Sequence, residues 1–232
     1  MDAKCFSQVD QIDIEPVPVM VIVPPKRRFY PIVKRFFDVV LSVLALVALS
    51  PLFLVTAIAI KAEDGGPVFY RHTRIGNNGK EIGIYKFRTM KVNADKLEDA
   101  LSPEQLAEYY REFKLDYDPR VTKIGDFLRK TSIDELPQLV NILCGQMSII
   151  GPRPLVKSEV EGKYNAAQRR MLLSVRPGLT GLWQVNGRND CTYESGERQM
   201  LELYYVQHVS PGIDINILFK TVKVVLQKTG AR

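Results

Sequence analysis

An apolar run, VVLSVLALVALSPLFLVTAIAI, extends from Val39 to Ile60 and stands out in the hydrophobic pattern of the chain. It contains no charged residue and is bracketed by Asp38 and Lys61. A helix of about 20 apolar residues crosses the hydrocarbon core of a bilayer, so the run is long enough for a membrane helix. Because the run is apolar on every face, it is less typical of a core helix in a soluble protein.

The centre of this run carries a helix-breaking pair, Ser50 and Pro51. Proline lacks the backbone N–H and clashes with the preceding turn, so we predict a break there. Basic residues flank the run on both sides, and basic flanks tend to stay cytoplasmic. A re-entrant helix that returns to the side it entered satisfies both flanks, whereas a straight span satisfies one. A buried core helix is the third alternative.

The rest of the chain predicts a mainly α fold with a small β-hairpin. Residues 67–90, PVFYRHTRIGNNGKEIGIYKFRTM, are typical of two strands joined around Asn78 and Gly79, and they end by presenting Lys86 and Arg88. Apolar spacing predicts helices at about 92–114, 123–130, 134–144, 156–174, 195–207 and 213–228. The last helix carries an apolar stripe that either packs on the core or lies in a membrane interface: Ile217, Leu218, Val222, Val225 and Leu226.

Composition adds a preference for anionic partners. The chain has 232 residues, 46% of them hydrophobic, and a formal net charge of +6. This charge favours lipid headgroups, nucleotide phosphates or nucleic acid without choosing among them. GNNGKE, residues 76–81, has neither the spacing nor the Ser/Thr of a P-loop, and no G-x-G-x-x-G follows a strand. A bound nucleotide must therefore be held in another way.

The acidic pair in KTSIDELPQL, residues 130–139, has two competing explanations. Ser132 and Glu135 form the S-x-x-E pattern of a capping box, or Asp134 itself caps a helix with Pro137 in its first turn. Alternatively, Asp134 and Glu135 are adjacent oxygen ligands for Mg²⁺, which typically shares its coordination with substrate phosphates. Spacing alone favours capping, but cations close in sequence favour a phosphate site: Arg120, Lys123, Arg129, Lys130 and Arg153.

Two turns rich in Gly and Pro each hold an arginine. They are SIIGPRPL, residues 148–155, with Arg153, and RPGLTGLWQVNGRND, residues 176–190, with Arg188. Such turns usually only reverse the chain, but they also fix side chains and backbone N–H groups around an anion. Together the two turns indicate a phosphate site; separately neither does.

Seven separated motifs closely resemble those of the bacterial sugar transferase family, the monotopic phosphoglycosyl transferases that begin lipid-linked glycan assembly. The resemblance covers about residues 32–229 in order. The motifs are KRFFDVVLSVLALVALSPLFLVTAIAIK, GPVFYRHTRIG, YKFRTM, DPRVTKIGDFLRKTSIDELPQLVNIL, MSIIGPRPL, RPGLTGLWQVNGR and LYYV. Agreement at seven places makes the resemblance specific.

This resemblance implies transfer of a hexose 1-phosphate from a UDP-sugar to undecaprenyl phosphate, with Mg²⁺ as cofactor and UMP as product. Asp134 would be the nucleophile that forms a phosphosugar-aspartyl intermediate, and Asp134 and Glu135 would hold the metal. Arg129, Arg153 and Arg188 match family arginines near the substrate phosphates, and Arg88 matches the KFRTM motif. The motif sequences are most similar to those of hexose-type members of the family, so UDP-galactose or UDP-glucose is the expected donor.

The resemblance also implies a monotopic membrane protein of the bacterial inner membrane, with its catalytic domain on the cytoplasmic face. Residues 1–30 would be an irregular lead-in, 31–61 a re-entrant helix broken at Ser50 and Pro51, and 62–232 the cytosolic catalytic domain. Interfacial amphipathic helices would complete this mainly α fold. The expected partners are UDP-sugar, undecaprenyl phosphate and membrane lipids, with a second copy of the chain and downstream glycosyltransferases as further candidates.

Such an enzyme would initiate exopolysaccharide, capsule, O-antigen or glycoprotein glycan assembly. The rival interpretation is a non-enzymatic membrane-surface module, in which basic residues bind anionic lipid and the acidic pair caps a helix. A third interpretation, a nucleic-acid-binding domain with a membrane anchor, lacks any recognised motif. Nucleic acid is therefore not an expected partner.

Overall fold

A computed structural model describes residues 29–92, 94, 101–112, 115, 117–187, 191, 193 and 195–227. This part of the chain is mainly helical with two small two-stranded sheets. The elements before the acidic pair are α1 (Tyr30–Ala48), α2 (Ser50–Asp64), β1 (Phe69–Ile75), β2 (Glu81–Phe87), α3 (Pro103–Glu112) and α4 (Lys123–Lys130). Those after it are α5 (Gln138–Leu143), β3 (Ser148–Ile150), α6 (Lys157–Lys163), α7 (Ala166–Leu172), β4 (Gly178–Thr180), α8 (Leu182–Gly187), α9 (Glu197–His208) and α10 (Pro211–Gln227).

The apolar run forms two helices that meet at a sharp bend. α1 and α2 are inclined by 61° at Leu49. Pro51 lies in the first turn of α2, where its missing N–H breaks no helical hydrogen bond, and the Ser50 hydroxyl donates to the Val47 carbonyl at 2.8 Å. The predicted break at Ser50 and Pro51 is confirmed. Among the described helices none is by itself long and apolar enough to span a membrane, but the bent pair meets that test jointly by length and composition.

Polar contacts hold α1 against the rest of the chain. The Asp38 carboxylate accepts a hydrogen bond from the Ile149 N–H at 2.9 Å. Arg35 donates to the carbonyls of Ile142 and Leu143, at 2.6 and 2.9 Å, and so caps the end of α5. Tyr30 and Lys34 both bind the carboxylate of Asp214 on α10. α1 is therefore fixed along one side.

The opposite side of the bent pair faces outward. Ile32 and Val47 on α1 are 69% and 70% exposed, and Val55 on α2 is 63% exposed. A helix buried in a core would have these residues covered. The core-helix alternative is therefore wrong, whereas the choice between a re-entrant and a spanning arrangement stays a prediction.

The predicted hairpin is confirmed, with a longer connection than a two-residue turn. β1 and β2 pair antiparallel from Phe69 opposite Phe87 to Ile75 opposite Glu81. Residues 76–80 connect them, and Asn78 and Gly79 both have positive φ, at 57° and 76°. Ile82 and Ile84 on β2 pack in a core cluster with Leu139, Ile142 and Met147.

Several elements differ from the sequence predictions. The predicted helix 134–144 begins as a separate 3₁₀ turn, Ile133–Glu135, before α5. The predicted helix 156–174 is two helices because the Asn165 side chain accepts from Ala167 and Gln168 and starts α7 anew. α8 and the parallel pair of β3 and β4 were not predicted. The predicted helix 92–114 lies partly outside the described residues.

The last helix divides its apolar stripe between core and surface. Ile217 is buried in the cluster around Trp183 and Tyr205. Leu218 and Val222, from the same predicted stripe, are exposed together with Phe219, which is 73% exposed. Core packing therefore explains only part of the stripe. The side chains of Val225 and Leu226, the remaining members of the stripe, lie outside the described part of the structure.

We predict opposite effects of alanine at two glycines. A Cβ on Gly125 in α4 would lie 2.0 Å from the Thr89 carbonyl oxygen, so Gly125→Ala should lower the free energy of unfolding by about 1–3 kcal/mol. A Cβ on Gly162 in α6 meets nothing within 4 Å, so Gly162→Ala should raise it by about 0.5–1 kcal/mol. Denaturant unfolding in detergent measures both, and equal shifts would contradict the close packing of α4 on Thr89.

Candidate active site

The acidic pair lies in a tight turn between α4 and α5. Asp134 and Glu135 belong to the 3₁₀ turn Ile133–Glu135, and Asp134 is only 8% exposed. Ser132, just before the turn, has φ 56°, a left-handed conformation that strains a residue with a side chain. Such strain is typical of functional sites, where the surrounding structure enforces it.

Helix capping does not explain the acidic pair. The Ser132 side chain makes no capping hydrogen bond to the turn that follows it. Pro137 is the N-cap residue of α5, and Asp134 lies within the preceding 3₁₀ turn, so Asp134 is not at the N-cap position of α5. Within the described residues the capping hypothesis is therefore wrong, and the burial of two adjacent carboxylates needs another cause.

Two cations from distant segments face the pair. Lys86 on β2 donates from Nζ to Glu135 Oε1 at 2.6 Å and lies 3.8 Å from Asp134 Oδ2. Arg153, in the loop after β3, has its Nη1 3.7 Å from Glu135 Oε1. Because ionised carboxylates are costly to bury alone, these cations make the arrangement stable.

Lys86 was noted at the end of the predicted hairpin, but it was not among the predicted site residues. In β2, Lys86 continues the alternation of Ile82 and Ile84, so it lies on the face of the strand that packs inward. A lysine on an inward face requires an anionic partner. That alternation is the signal that would have identified Lys86.

A narrow cleft opens beside Glu135 of the acidic pair. The hairpin, α5 and the loop after β3 contribute to its lining. Its polar and charged residues are His72, Arg74, Lys86, Glu135, Gln138 and Arg153. Three cations around one carboxylate make the cleft attractive to an anionic ligand.

Arg153 is kept in its charged form by nearby carboxylates. Burial alone would lower the pKa of Arg153, but the carboxylates of Glu135, Glu159 and Glu202 outweigh it and raise the pKa. Its backbone N–H donates to the Glu202 carboxylate at 3.1 and 3.2 Å. The loop that carries Arg153 is thus tied to α9.

Arg129 reaches the site from α4. Its Nε donates to the Thr89 hydroxyl at 3.0 Å. Burial lowers the pKa of Arg129, and Asp134 is the strongest of the carboxylates that oppose this shift. The structure therefore places Arg129 within electrostatic reach of Asp134, and its role at a substrate phosphate stays a prediction.

Arg88 pairs with a carboxylate outside the acidic pair. Its guanidinium pairs with both carboxylate oxygens of Asp64, and its Nε donates to the Pro67 carbonyl at 2.6 Å. This hydrogen bonding lowers the pKa of Asp64 to about 2. Arg88 thus joins the end of α2 to the end of β2, and its role at a substrate phosphate stays a prediction. Arg188 lies outside the described residues, and its role stays a prediction too.

A buried network of charged residues is joined to the cleft lining through Arg74. Glu159 accepts from Arg74 at 3.2 Å and from Arg198 at 3.3 Å. The Arg198 guanidinium is sandwiched between the rings of Trp183 and Tyr193, 4.2 and 4.0 Å from their centroids. Stacking and ion pairing together leave this layer little freedom to move.

The acidic pair fits part of a metal site. Within the described ranges, no group of three His, Cys, Asp or Glu residues could hold a metal ion by itself. Asp134 and Glu135 offer adjacent carboxylate oxygens, which suit Mg²⁺ when substrate phosphates complete its coordination. The residues therefore fit Mg²⁺ bound together with a substrate.

Comparison with known proteins matches residues 29–228 to a family described as bacterial sugar transferase. An uncharacterized sugar transferase of Haemophilus influenzae is 49% identical over 203 residues, 86% of this chain and 42% of that protein. Exopolysaccharide production protein ExoY of Sinorhizobium fredii is 48% identical over 201 residues, 85% of this chain and 87% of that protein. Undecaprenyl-phosphate galactose phosphotransferase of Salmonella typhimurium is 44% identical over 208 residues, 88% of this chain and 43% of that protein. The chain thus spans less than half of the first and third relatives.

The buried carboxyl of Glu202 predicts a pH dependence of stability. Desolvation raises the pKa of Glu202 from 4.5 to about 7. The unfolded chain therefore loses this proton first, so the stabilising contribution is present below pH 4.5 and is lost as the pH rises through 7. Its full size is about 3 kcal/mol.

Glu202→Gln, which stays neutral, should remove this contribution. Thermal unfolding from pH 4.5 to 8 should show the native chain losing stability relative to the variant as the pH rises. Glu161→Gln, at an exposed carboxylate on α6, is the matched control and should leave the pH dependence unchanged. Parallel curves for the native chain and Glu202→Gln would contradict the buried, desolvated state of Glu202.

Proposed function

Because the chain belongs to the bacterial sugar transferase family, we propose that it transfers a hexose 1-phosphate from a UDP-sugar to undecaprenyl phosphate. UDP-galactose and UDP-glucose are the proposed donors, and the name of the Salmonella relative supports galactose. The product would begin a lipid-linked glycan, and the name of the rhizobial relative supports an exopolysaccharide. A homodimer and downstream glycosyltransferases stay predictions.

One observation carries the proposal: Asp134 and Glu135 are nearly buried, cap no helix and face Lys86 and Arg153. A carboxylate repels an anionic phosphate, so it is a poor nucleophile unless cations neutralise the charge that both bring. The cleft beside Glu135 is lined by Arg74, Lys86 and Arg153, which would attract a diphosphate. A purely structural acidic pair would not need to border such a cleft.

In the proposed first step, a carboxylate oxygen of Asp134 attacks the β-phosphorus of the UDP-sugar. The bond between the β-phosphorus and the oxygen bridging to the α-phosphate breaks, and UMP leaves. Lys86 and Arg153 bind phosphate oxygens and stabilise the charge that moves to the leaving group. The sugar phosphate is then joined to Asp134 as an acyl phosphate.

In the second step, a phosphate oxygen of undecaprenyl phosphate attacks the phosphorus of this intermediate. The bond to Asp134 breaks, and the carboxylate is regenerated as the polyprenyl diphosphate sugar forms. Glu135, beside the nucleophile, would take a proton from the acceptor when the acceptor arrives protonated. Mg²⁺ held by Asp134 and Glu135 would neutralise phosphate charge when bound.

We further propose that the bent pair of α1 and α2 enters the inner membrane and returns to the cytoplasmic face. Support comes from the outward-facing apolar residues of both helices and from the basic residues at both ends. The exposed Leu218, Phe219 and Val222 of α10 support contact of that helix with the membrane interface. This position would bring the cleft close to a lipid-linked acceptor.

Asp134→Asn tests the covalent step. Native enzyme mixed with Mg²⁺ and UDP-galactose or UDP-glucose, without acceptor, should release one UMP per chain and gain the mass of one phosphosugar. Asp134→Asn should lose both signals because an amide is not an anionic nucleophile. Rapid-quench assay of UMP and intact-protein mass spectrometry measure them.

The matched control is Asp126→Asn, at an exposed carboxylate on α4 that pairs with Lys130, and it should keep both signals. If UMP appeared only after undecaprenyl phosphate was added, with no adduct, the covalent route would be wrong. If no UDP-sugar yielded UMP with the acceptor present, the non-enzymatic lipid-binding alternative would be favoured.

Cysteine labelling tests the re-entrant arrangement. Phe29→Cys and Ala62→Cys place thiols at exposed positions on either side of the bent pair, in a chain whose native cysteines have been replaced. In intact cells an impermeant thiol reagent should label neither site, and in lysed cells it should label both. Labelling of one site from outside would show that the pair spans the membrane.

A further inference from the structure

His72 lines the cleft beside the acidic pair, yet the proposed steps do not use it. It lies on β1 opposite Ile84, so Lys86 is its diagonal neighbour on the adjacent strand. Diagonal neighbours in a hairpin are within reach of long side chains. An imidazole in this position is close enough to contact a ligand that binds Lys86.

The Arg74 side chain sets which ring nitrogen of His72 carries the proton. Nη2 of Arg74 lies 3.2 Å from Nδ1 of His72. A guanidinium only donates hydrogen bonds, so Nδ1 must accept with its lone pair. In the neutral ring the proton is therefore on Nε2, which leaves His72 with a single N–H donor.

The surroundings keep the ring neutral. Burial, together with the charges of Arg74, Lys86 and Arg153, lowers the pKa of His72 to about 3. Glu135 is the carboxylate that lines the same cleft. Above about pH 5, His72 therefore offers a directional donor without adding positive charge.

The cleft lining combines three cations, Arg74, Lys86 and Arg153, with neutral polar residues. Lys86 and Arg153, close to Asp134 and Glu135, match the phosphates. The neutral polar residues of the lining are His72 and Gln138, and neutral donors suit hydroxyl groups. A hydroxyl-bearing group next to the β-phosphate of a UDP-sugar is the sugar itself.

We propose that His72 binds the donor sugar by donating a hydrogen bond from Nε2 to one hydroxyl oxygen. This inference rests on the proposed function and adds a specificity-determining residue to it. An N–H group that donates to one hydroxyl distinguishes sugars that differ at that position. A sugar without that hydroxyl leaves the N–H without a hydrogen-bond partner, which weakens its binding.

Kinetics of UMP release with UDP-galactose and its 2-, 3-, 4- and 6-deoxy analogues tests the contact. His72→Leu should lower kcat/KM for the parent sugar by roughly tenfold. The native enzyme should lose a similar factor with one of the four analogues, and His72→Leu should show no further loss with that analogue. His72→Gln keeps an N–H donor near the Nε2 position and should retain most of the activity.

UMP release by the native enzyme tests the proposed function separately from this contact. If the native enzyme turns over and His72→Leu loses the same factors with all four analogues, His72 does not bind a sugar hydroxyl. The same conclusion follows if His72→Leu leaves kcat/KM unchanged.

Nitrogen-15 NMR tests the tautomer independently of activity. The chain has two histidines, so His208→Gln identifies the signals of His72. The neutral ring protonated at Nε2 should persist from pH 5 to 8. An imidazolium signal, or a neutral ring protonated at Nδ1, would overturn the inference.

Discussion

The structure depends on the burial of two adjacent carboxylates, Asp134 and Glu135. Ionised groups of like sign are costly to remove from water together, so the fold must surround them with cations from several segments. Lys86 arrives on a strand, Arg153 on a loop and Arg129 on a helix. Arg129 is close to the pair in sequence, whereas Lys86 is about 50 residues away and reaches the turn only in the folded chain.

Polar contacts connect the bent pair of α1 and α2 to the acidic turn. Arg35 on α1 binds the last carbonyls of α5, and α5 begins just after Glu135. Asp38 holds the N–H of Ile149 on β3, and the Arg153 loop follows that strand. The position of α1 at a membrane would therefore fix the height of the acidic pair above it. If the proposed membrane position is correct, this connection would hold the acidic pair close to a lipid-linked acceptor.

Features that depend on neighbouring residues were predicted from the sequence more accurately than features that depend on contacts between distant segments. The break at Ser50 and Pro51, the hairpin and α4 follow from proline chemistry, turn residues and apolar spacing. The parallel pair of β3 and β4 was not predicted because each strand has only three residues, which is too few for a periodic hydrophobic pattern. Asp134 and Glu135 were identified only because many motifs resembled one family; their spacing alone favoured a helix cap that is absent. Lys86 was missed because its carboxylate partners lie about 50 residues away in sequence. Arg88 was chosen instead because its pairing with Asp64 could not be predicted from the sequence.

The central claim is that the phosphates of the donor bind between the acidic turn and the cations that surround it. An experimental structure of the Asp134→Asn variant with a UDP-sugar and Mg²⁺ tests this claim most directly. We expect the β-phosphorus within about 3.5 Å of the side chain at position 134, with Lys86 and Arg153 on its oxygens. A donor whose phosphates lie away from position 134, with Lys86 still bound to Glu135, would contradict the account.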